Sequence, residues 1–227
     1  MTRAHELRGV RYGLADASDL VEMGQLLGEV FSRRDPPAVA ARITATEFEI
    51  FVRPFCARGA TDGLTVVARS AESGRMVGAL LTEDCASASP GGMEPLNVKF
   101  DPVLDILVQL GSEYWQGKTA LPKECLHLFL LGVDESFAGR GVAQQLVAEC
   151  LNNGALQGYR LAVTEATNRI SQHVFRKQGF TERVRRSYLD HRYRGEAVFA
   201  SIADHGGPIL MDKSLVEPQR ASSDAAQ

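Results

Sequence analysis

The stretch Val133-Asp134-Glu135-Ser136-Phe137-Ala138-Gly139-Arg140-Gly141-Val142-Ala143-Gln144-Gln145-Leu146 constrains this chain more tightly than any other. Before it, residues 126–133 form a nearly unbroken apolar run with the length and composition of a buried strand. After it, Val142, Ala143, Leu146, Val147, Cys150 and Leu151 recur at helical spacing and mark one buried helix face. Between the two, Gly139 and Gly141 remove two side chains where the backbone turns into the helix. The first N–H groups of a helix lack internal partners, and the helix dipole adds partial positive charge there. Such a turn is an anion cradle, Arg140 adds a full charge, and the pattern points to a phosphorylated ligand. The plainer alternative is a tight strand-to-helix connection of the kind many α/β proteins contain. Two other phosphate loops are excluded: no Gly-Lys-Ser/Thr follows the glycines, and position 144 is Gln where Gly-x-Gly-x-x-Gly needs glycine.

A length of 227 residues suits one domain, or one domain with an insertion. The formal net charge of −3 gives no basic footprint for nucleic acid. Cys56, Cys85, Cys125 and Cys150 lie far apart, with no C-x-x-C and no His at ligand spacing, so reduced thiols and no metal are expected. No stretch approaches the roughly 18 consecutive apolar residues of a membrane span, and none resembles a signal peptide. The expectation is a cytoplasmic protein that uses neither nucleic acid nor membrane.

Periodicity predicts a strand at residues 10–14, then a helix capped by Asp16 or Ser18 with Leu20, Met23, Leu27, Val30 and Phe31 on one face. Arg33-Arg34-Asp35-Pro36-Pro37 breaks it, and the prolines open a second helix through Phe55. Apolar runs at 64–68 and 76–81, separated by Ala71-Glu72-Ser73-Gly74, read as a β-hairpin. Residues 86–102 turn rich in Ser, Gly and Pro, and 103–115 read as an amphipathic helix; together they make an insertion at about 86–120. A strand at 160–164, a helix at 168–178 closed by Gly179, and extended runs at 180–188 and 208–215 follow. The polar tail 217–227 is expected to be disordered, leaving 1–216 as a single domain.

The segment from Ala138 to Ala143 resembles the acyl-CoA pyrophosphate loop of the GCN5-related N-acetyltransferase (GNAT) superfamily, Gln/Arg-x-x-Gly-x-Gly/Ala. Gly141 and Ala143 fit; Ala138 lacks the usual Gln or Arg. Residues 168–180, running Asn168-Arg169-Ile170-Ser171-Gln172-His173-Val174-Phe175-Arg176-Lys177-Gln178-Gly179-Phe180, look like the family's Asn-x-x-Ala-x-x-Leu-Tyr-x-Lys-x-Gly-Phe helix. Within the superfamily the chain is most similar to insect-type arylalkylamine N-acetyltransferases. Phe31 followed by Asp35-Pro36 resembles their Phe…Asp-Glu-Pro segment, and an insertion with Phe100 precedes the central strand. Tyr188-Leu189-Asp190, Val198-Phe199, His205 and Met211-Asp212-Lys213 run in their order. The resemblance implies an α/β (α+β) acyl-CoA N-acyltransferase fold, a mixed central sheet of about six to seven strands flanked by helices.

It also implies acetyl-CoA as co-substrate and a primary amine of a small molecule as acceptor, joined by direct attack in a ternary complex. A protein N-terminus, lysine, polyamine or aminoglycoside is an alternative acceptor, and a non-catalytic acyl-CoA-binding regulatory module is an alternative class. The protein is expected to be a monomer or homodimer. By resemblance, acyl-CoA binding falls to the central strand (Leu131, Gly132, Val133), the turn (Ala138, Gly139, Arg140, Gly141, Val142, Ala143) and the second motif (Asn168, Phe175), with Arg176 or Lys177 at the ribose phosphate.

An alkylamine of pKa ~10 is only about 0.1% neutral at pH ~7, so the reaction needs a proton acceptor. Asp35 stands where the insect-type enzymes carry Glu before Pro; its structural alternative is a helix N-cap. His127 matches the first of two central-strand histidines of vertebrate serotonin N-acetyltransferases, with Phe129 replacing the second. Strand alternation puts 127, 129, 131 and 133 on one face. Glu165 is a third option, set against a solvated loop charge. Phe175 stands where many relatives carry a Tyr that protonates the leaving thiolate, so Ser171 and Tyr188 are the substitute donors.

Overall fold

A computed structural model describes residues 5–90 and 97–216. The expected disordered tail and part of the insertion lie outside the described residues. A short hairpin, β1 (His5–Leu7) and β2 (Val10–Leu14), opens the chain. Asp16 then caps a 3-10 turn through its bond from the Ser18 N–H. Helix α1 (Leu20–Arg34) follows and stops at Asp35, which is extended (φ −83°, ψ 115°) because Pro36 and Pro37 cannot continue the ladder.

The single helix expected from Pro36 to Phe55 is two helices, α2 (Pro36–Ala40) and α3 (Ala45–Asp62). Arg42 turns left-handed (φ 55°), and Thr44 and Glu47 form a reciprocal capping box that restarts the helix. The predicted hairpin is present as β3 (Val66–Ser70) and β4 (Met76–Asp84). Helix α4 (Asp101–Trp115) belongs to the insertion. The remaining elements are β5 (Cys125–Val133), α5 (Val142–Leu156), β6 (Leu161–Ala166), α6 (Arg169–Lys177), β7 (Thr181–Arg185) and β8 (Ile209–Ser214).

Among the described residues the strands form one mixed sheet in the order β1-β2-β3-β4-β5-β6-β8-β7, eight strands rather than six to seven. The uncounted strand is β1, whose His-Glu-Leu carries no alternation long enough to read. Two cores flank the sheet. One packs Leu80, Leu126 and Leu128 against Val142, Leu146 and Cys150 of α5; the other packs Val67, Leu81 and Leu130 against Met23 and Leu27 of α1 and Phe51 and Val52 of α3.

Two irregularities in β5 create the site. First, the pairing of β4 with β5 slips: Leu81 faces Leu130 while Thr82 faces Leu128, so Phe129 is skipped as a bulge. The bulge reverses the alternation expected along the strand. His127 and Phe129 share a side, with ring centroids 5.3 Å apart, but Leu131 and Val133 pack on the opposite, α5 side. Second, β5 and β6 pair in parallel only through Cys125–Leu161, Leu126–Ala162 and His127–Val163. Beyond His127 the strands part, joined by the Thr164 hydroxyl donating to the Leu128 carbonyl at 2.9 Å. The rest of the inner edge of β5 faces a gap in the sheet.

Candidate active site

A cavity of about 510 Å³ runs through that gap. On the α5 side it is lined by Leu131, Val133, the turn residues Ala138, Gly139, Gly141, Val142 and Ala143, and by Asn168, Ser171 and Phe175. On the other side it is lined by Asp35, Glu165, Thr167, a group of phenylalanines, and Val103, Leu104 and Leu107 of α4. The insertion therefore shapes the cavity wall.

Gly139 and Gly141 both take left-handed backbone (φ 74° and 83°), and Gly141 is the N-cap of α5. Among the described residues no side chain caps that helix, so its first N–H groups face the cavity end without competition from a side-chain oxygen. The Ala138 N–H is committed to the Glu135 carbonyl at 3.0 Å, so this residue lines the turn without offering its amide. Arg140 lies over the Phe137 ring, 4.6 Å from its centroid, and opens onto a second cavity of about 280 Å³. Arg8, from the β1–β2 turn, lines both cavities; sequence reading did not single it out.

Gly132 and Lys177 fall outside the cavity, and other motif positions on its wall carry structural roles. Gly132 does not line the cavity: a Cβ there would stand 2.9 Å from Leu27, so its glycine serves the close approach of α1. Lys177 is exposed and lines neither cavity, and Arg176 is bound to Glu182. Asn168 caps α6, accepting from the Ile170 and Ser171 N–H groups. The Ser171 hydroxyl donates to the Asn168 carbonyl at 2.9 Å, closing the same cap. Phe175 is buried edge-on to Phe180 at 5.1 Å.

Asp35 is 7% exposed at the junction of α1 and α2. Its Oδ2 accepts from the Ala38 N–H at 3.2 Å, which makes it an N-cap, and its Oδ1 accepts from the Thr167 hydroxyl at 2.5 Å. Asp35 is therefore the helix N-cap of the structural reading, and the same carboxylate lines the cavity. Burial raises its pKa to about 6, opposed by the Thr167 and Ala38 bonds. Tyr188 is fully buried in the turn after β7 and is not on a strand; its hydroxyl donates to the Thr167 carbonyl at 2.7 Å. Burial, and Asp35 nearby, push the Tyr188 phenol well above its ordinary value. It supports Thr167 and does not line the cavity.

His127 likewise stands behind the wall. Its Nε2 lies 2.7 Å from Glu165 Oε2 and its Nδ1 3.1 Å from Glu83 Oε1. Two carboxylates facing two ring nitrogens require an N–H on each, so the ring is an imidazolium with no lone pair to accept a proton. Burial opposes this charge, but the two carboxylates hold the His127 pKa well above its usual value. Glu165 is no solvated loop charge: it sits on β6 with its side chain 20% exposed, paired to His127 and reaching the cavity. Burial would raise its pKa, and the imidazolium holds it below the ordinary value.

The aromatic wall is continuous. Phe31 stacks on Phe48 at 4.8 Å, Phe51 lies 4.9 Å from Phe100, and Phe129 lies 4.9 Å from Phe55. Among the described residues no cluster of His, Cys, Asp and Glu has the makings of a metal site, and no helix is long and apolar enough to cross a membrane.

The split mixed sheet and the glycine turn at the mouth of the split match the acyltransferase fold that the sequence resemblance implies. Residues 44–180, more than half of the chain, match the model of the acetyltransferase (GNAT) family, and the chain belongs to that family. Its fold is similar to that of the C-terminal condensation domain of Ebony in complex with beta-alanyl-dopamine (TM-score 0.81, 13% identity, covering 90% of this chain and 98% of that one). It is also similar to arylalkylamine N-acetyltransferase 2 from Aedes aegypti (TM-score 0.77, 19% identity, 92% and 100%). A third likeness is to a Drosophila melanogaster polyamine N-acetyltransferase that catalyses the formation of N-acetylagmatine (TM-score 0.69, 19% identity, 90% and 99%). At these identities the likeness is one of fold.

Proposed function

We propose that the protein is an acetyl-CoA-dependent N-acetyltransferase whose acceptor is the primary amine of a small, arylalkylamine-like molecule. The carrying observation is one cavity with an uncapped helix N-terminus on one side of the split sheet and a buried carboxylate among phenylalanines on the other. The residues present fit acetyl-CoA: the Gly139–Gly141 turn offers amides to a pyrophosphate, and the parted edge of β5 at Leu131 and Val133 offers backbone groups to the pantetheine arm. Acetyl-CoA supplies the thioester carbonyl that the amine attacks. An amide of β5 beside the bulge stabilises the negative charge that develops on that carbonyl oxygen. We take residues 1–216 as one domain with an insertion at about 86–120, because a single sheet runs from β1 to β8.

In this reading Asp35 Oδ1 or Oδ2 takes the ammonium proton. A carboxylate with a pKa near 6 is ionised at neutral pH yet more basic than a solvated one, which suits it to this transfer. The nitrogen lone pair then forms the C–N bond, the C–S bond breaks, and the thiolate leaves with the electron pair. With Phe175 in place of Tyr and Ser171 closing a helix cap, the thiolate takes its proton from solvent; a thiol pKa near ~8.5 makes it a fair leaving group unaided.

The test is thiol release from acetyl-CoA with a panel of phenethylamine, tryptamine, agmatine, spermidine and a basic peptide. The reading expects the aryl amines to give the highest kcat/KM. Stabilisation by acetyl-CoA with no turnover on any amine would make the chain a binding module instead.

A further inference from the structure

The cavity holds two carboxylates, and the proton-transfer step uses only one. We propose that Glu165 is the fixed anion that seats the cationic nitrogen of the acceptor, and that His127 is its positioning residue; this rests on the amine-acetylation reading. Arg58 of α3 binds Glu83 of β4, Glu83 faces His127 Nδ1, and His127 Nε2 faces Glu165. Charges alternate along this chain, plus, minus, plus, minus, and its negative end opens on the cavity. Arg58 serves Glu83 and His127 serves Glu165, and of the four groups Glu165 is the one that lines the cavity. An ammonium that enters the cavity meets this carboxylate first.

The geometry suits that role. Glu165 lies on β6 and Thr167 one residue past its end, and both line the cavity, roughly 6–7 Å apart along the chain direction. Thr167 holds Asp35 at 2.5 Å. A nitrogen seated on Glu165 therefore lies one side-chain swing, or one water, from the carboxylate that deprotonates it. The neighbouring Phe129 ring, 5.3 Å from His127, keeps solvent thin around the pair and so strengthens its field. The environments push the two acids apart: ion pairing keeps Glu165 charged, and burial makes Asp35 the more basic. Anchor and base are separate residues. The charged and titratable groups facing this pair are Glu83 and Cys85 from the β4 side, Arg58 through Glu83, and Asp35 across Thr167.

The test uses phenethylamine as acceptor and phenethyltrimethylammonium as a probe that carries the charge but no transferable proton. Glu165→Gln is expected to raise the amine KM about 10- to 100-fold with kcat within about threefold and the acetyl-CoA KM unchanged. Its calorimetric Kd for the probe is expected to weaken by a similar factor. His127→Asn leaves the carboxylate without its cation, so Glu165 protonates at a higher pH, and probe affinity falls more steeply with decreasing pH than in the wild type, where Asp35 alone of the two titrates near 6. Probe affinity within twofold of wild type in Glu165→Gln overturns the anchor; a His127→Asn pH profile parallel to that of the wild type overturns the positioning role. The probe needs no turnover, so failure of acetylation on every amine would strike the function reading while the calorimetry still decides the anchor.

Discussion

The Thr167 hydroxyl donates to Asp35 Oδ1 at 2.5 Å, across 132 positions of sequence, and ties the end of β6 to the junction of α1 and α2. The bond favours the ionised carboxylate, so it opposes the burial that raises Asp35 to about 6. Replacing Thr167 by Val removes the donor and keeps the shape. A hydrogen bond to a charged group is worth about 1.5–3 kcal/mol, so Asp35 should rise by roughly one to two further units. The acid limb of the kcat/KM profile should move from near pH 6 to about 7–8. Profiles of wild type and Thr167→Val with the same amine check this, and coincident limbs would remove Asp35 from the base role.

Asp35 also links activity to stability. Its folded-state pKa is raised, so the folded protein holds a proton that the unfolded chain releases. The stabilising contribution is complete below the unfolded carboxylate value and is lost as pH climbs through about 6. Asp35→Asn keeps a capping oxygen without the charge. It should lose at least ~10²-fold in kcat yet be more stable than wild type at pH 8, by up to about 3 kcal/mol, with the difference vanishing near pH 4. Denaturant unfolding at the two pH values measures it; equal stability at pH 8 would mean that the carboxylate is effectively solvated.

What the sequence made legible was local. Two glycines at fixed spacing before a helix-period pattern mark the turn at Gly139 and Gly141, and both carry the left-handed backbone that spacing requires. The strand 126–133 and the helix that follows Asn168 were readable for the same reason, whereas the capping role of Asn168 emerged only in the structure. The break between α2 and α3 also had a local signal, Thr44 three residues before Glu47, which outweighs the helical periodicity around it.

The polar site was legible only in part, because its meaning lies in pairings between distant strands. His127 reads as a candidate base until Glu83 and Glu165, 44 and 38 residues away, take both ring nitrogens. Nothing near Thr167 or Tyr188 announces their support of Asp35. The bulge at Phe129 is likewise a property of register with β4, and it alone decides that His127 and Leu131 face opposite sides.

Gly141 tests the anion cradle. Its left-handed φ of 83° disfavours any side chain by about 1–2 kcal/mol, while a Cβ there would meet nothing nearer than Arg8 Nη1 at 3.9 Å. Gly141→Ala should therefore fold, with a modest loss of stability, and distort the N–H groups that meet the pyrophosphate. The acetyl-CoA KM is expected to rise about 10-fold or more with the amine KM unchanged. An increase confined to the amine would place the cofactor elsewhere.

Phe129 tests the aryl wall. The bulge turns its half-buried ring towards the cavity, 4.9 Å from Phe55 and 6.4 Å from Phe51. An aromatic pair is worth about 0.5–1.5 kcal/mol beyond simple burial, so an acceptor ring packed on Phe129 should lose roughly 2- to 12-fold in affinity when the wall is cut to Ala. An aliphatic amine of similar length gains nothing from that geometry and should lose less. The informative measurement is the ratio of kcat/KM for phenethylamine to that for hexylamine, which should fall in Phe129→Ala. Because α4 and α3 supply the rest of the wall, the overall fold should survive the truncation. An unchanged ratio would place the acceptor's organic group away from Phe129, against Val103, Leu104 and Leu107 on α4.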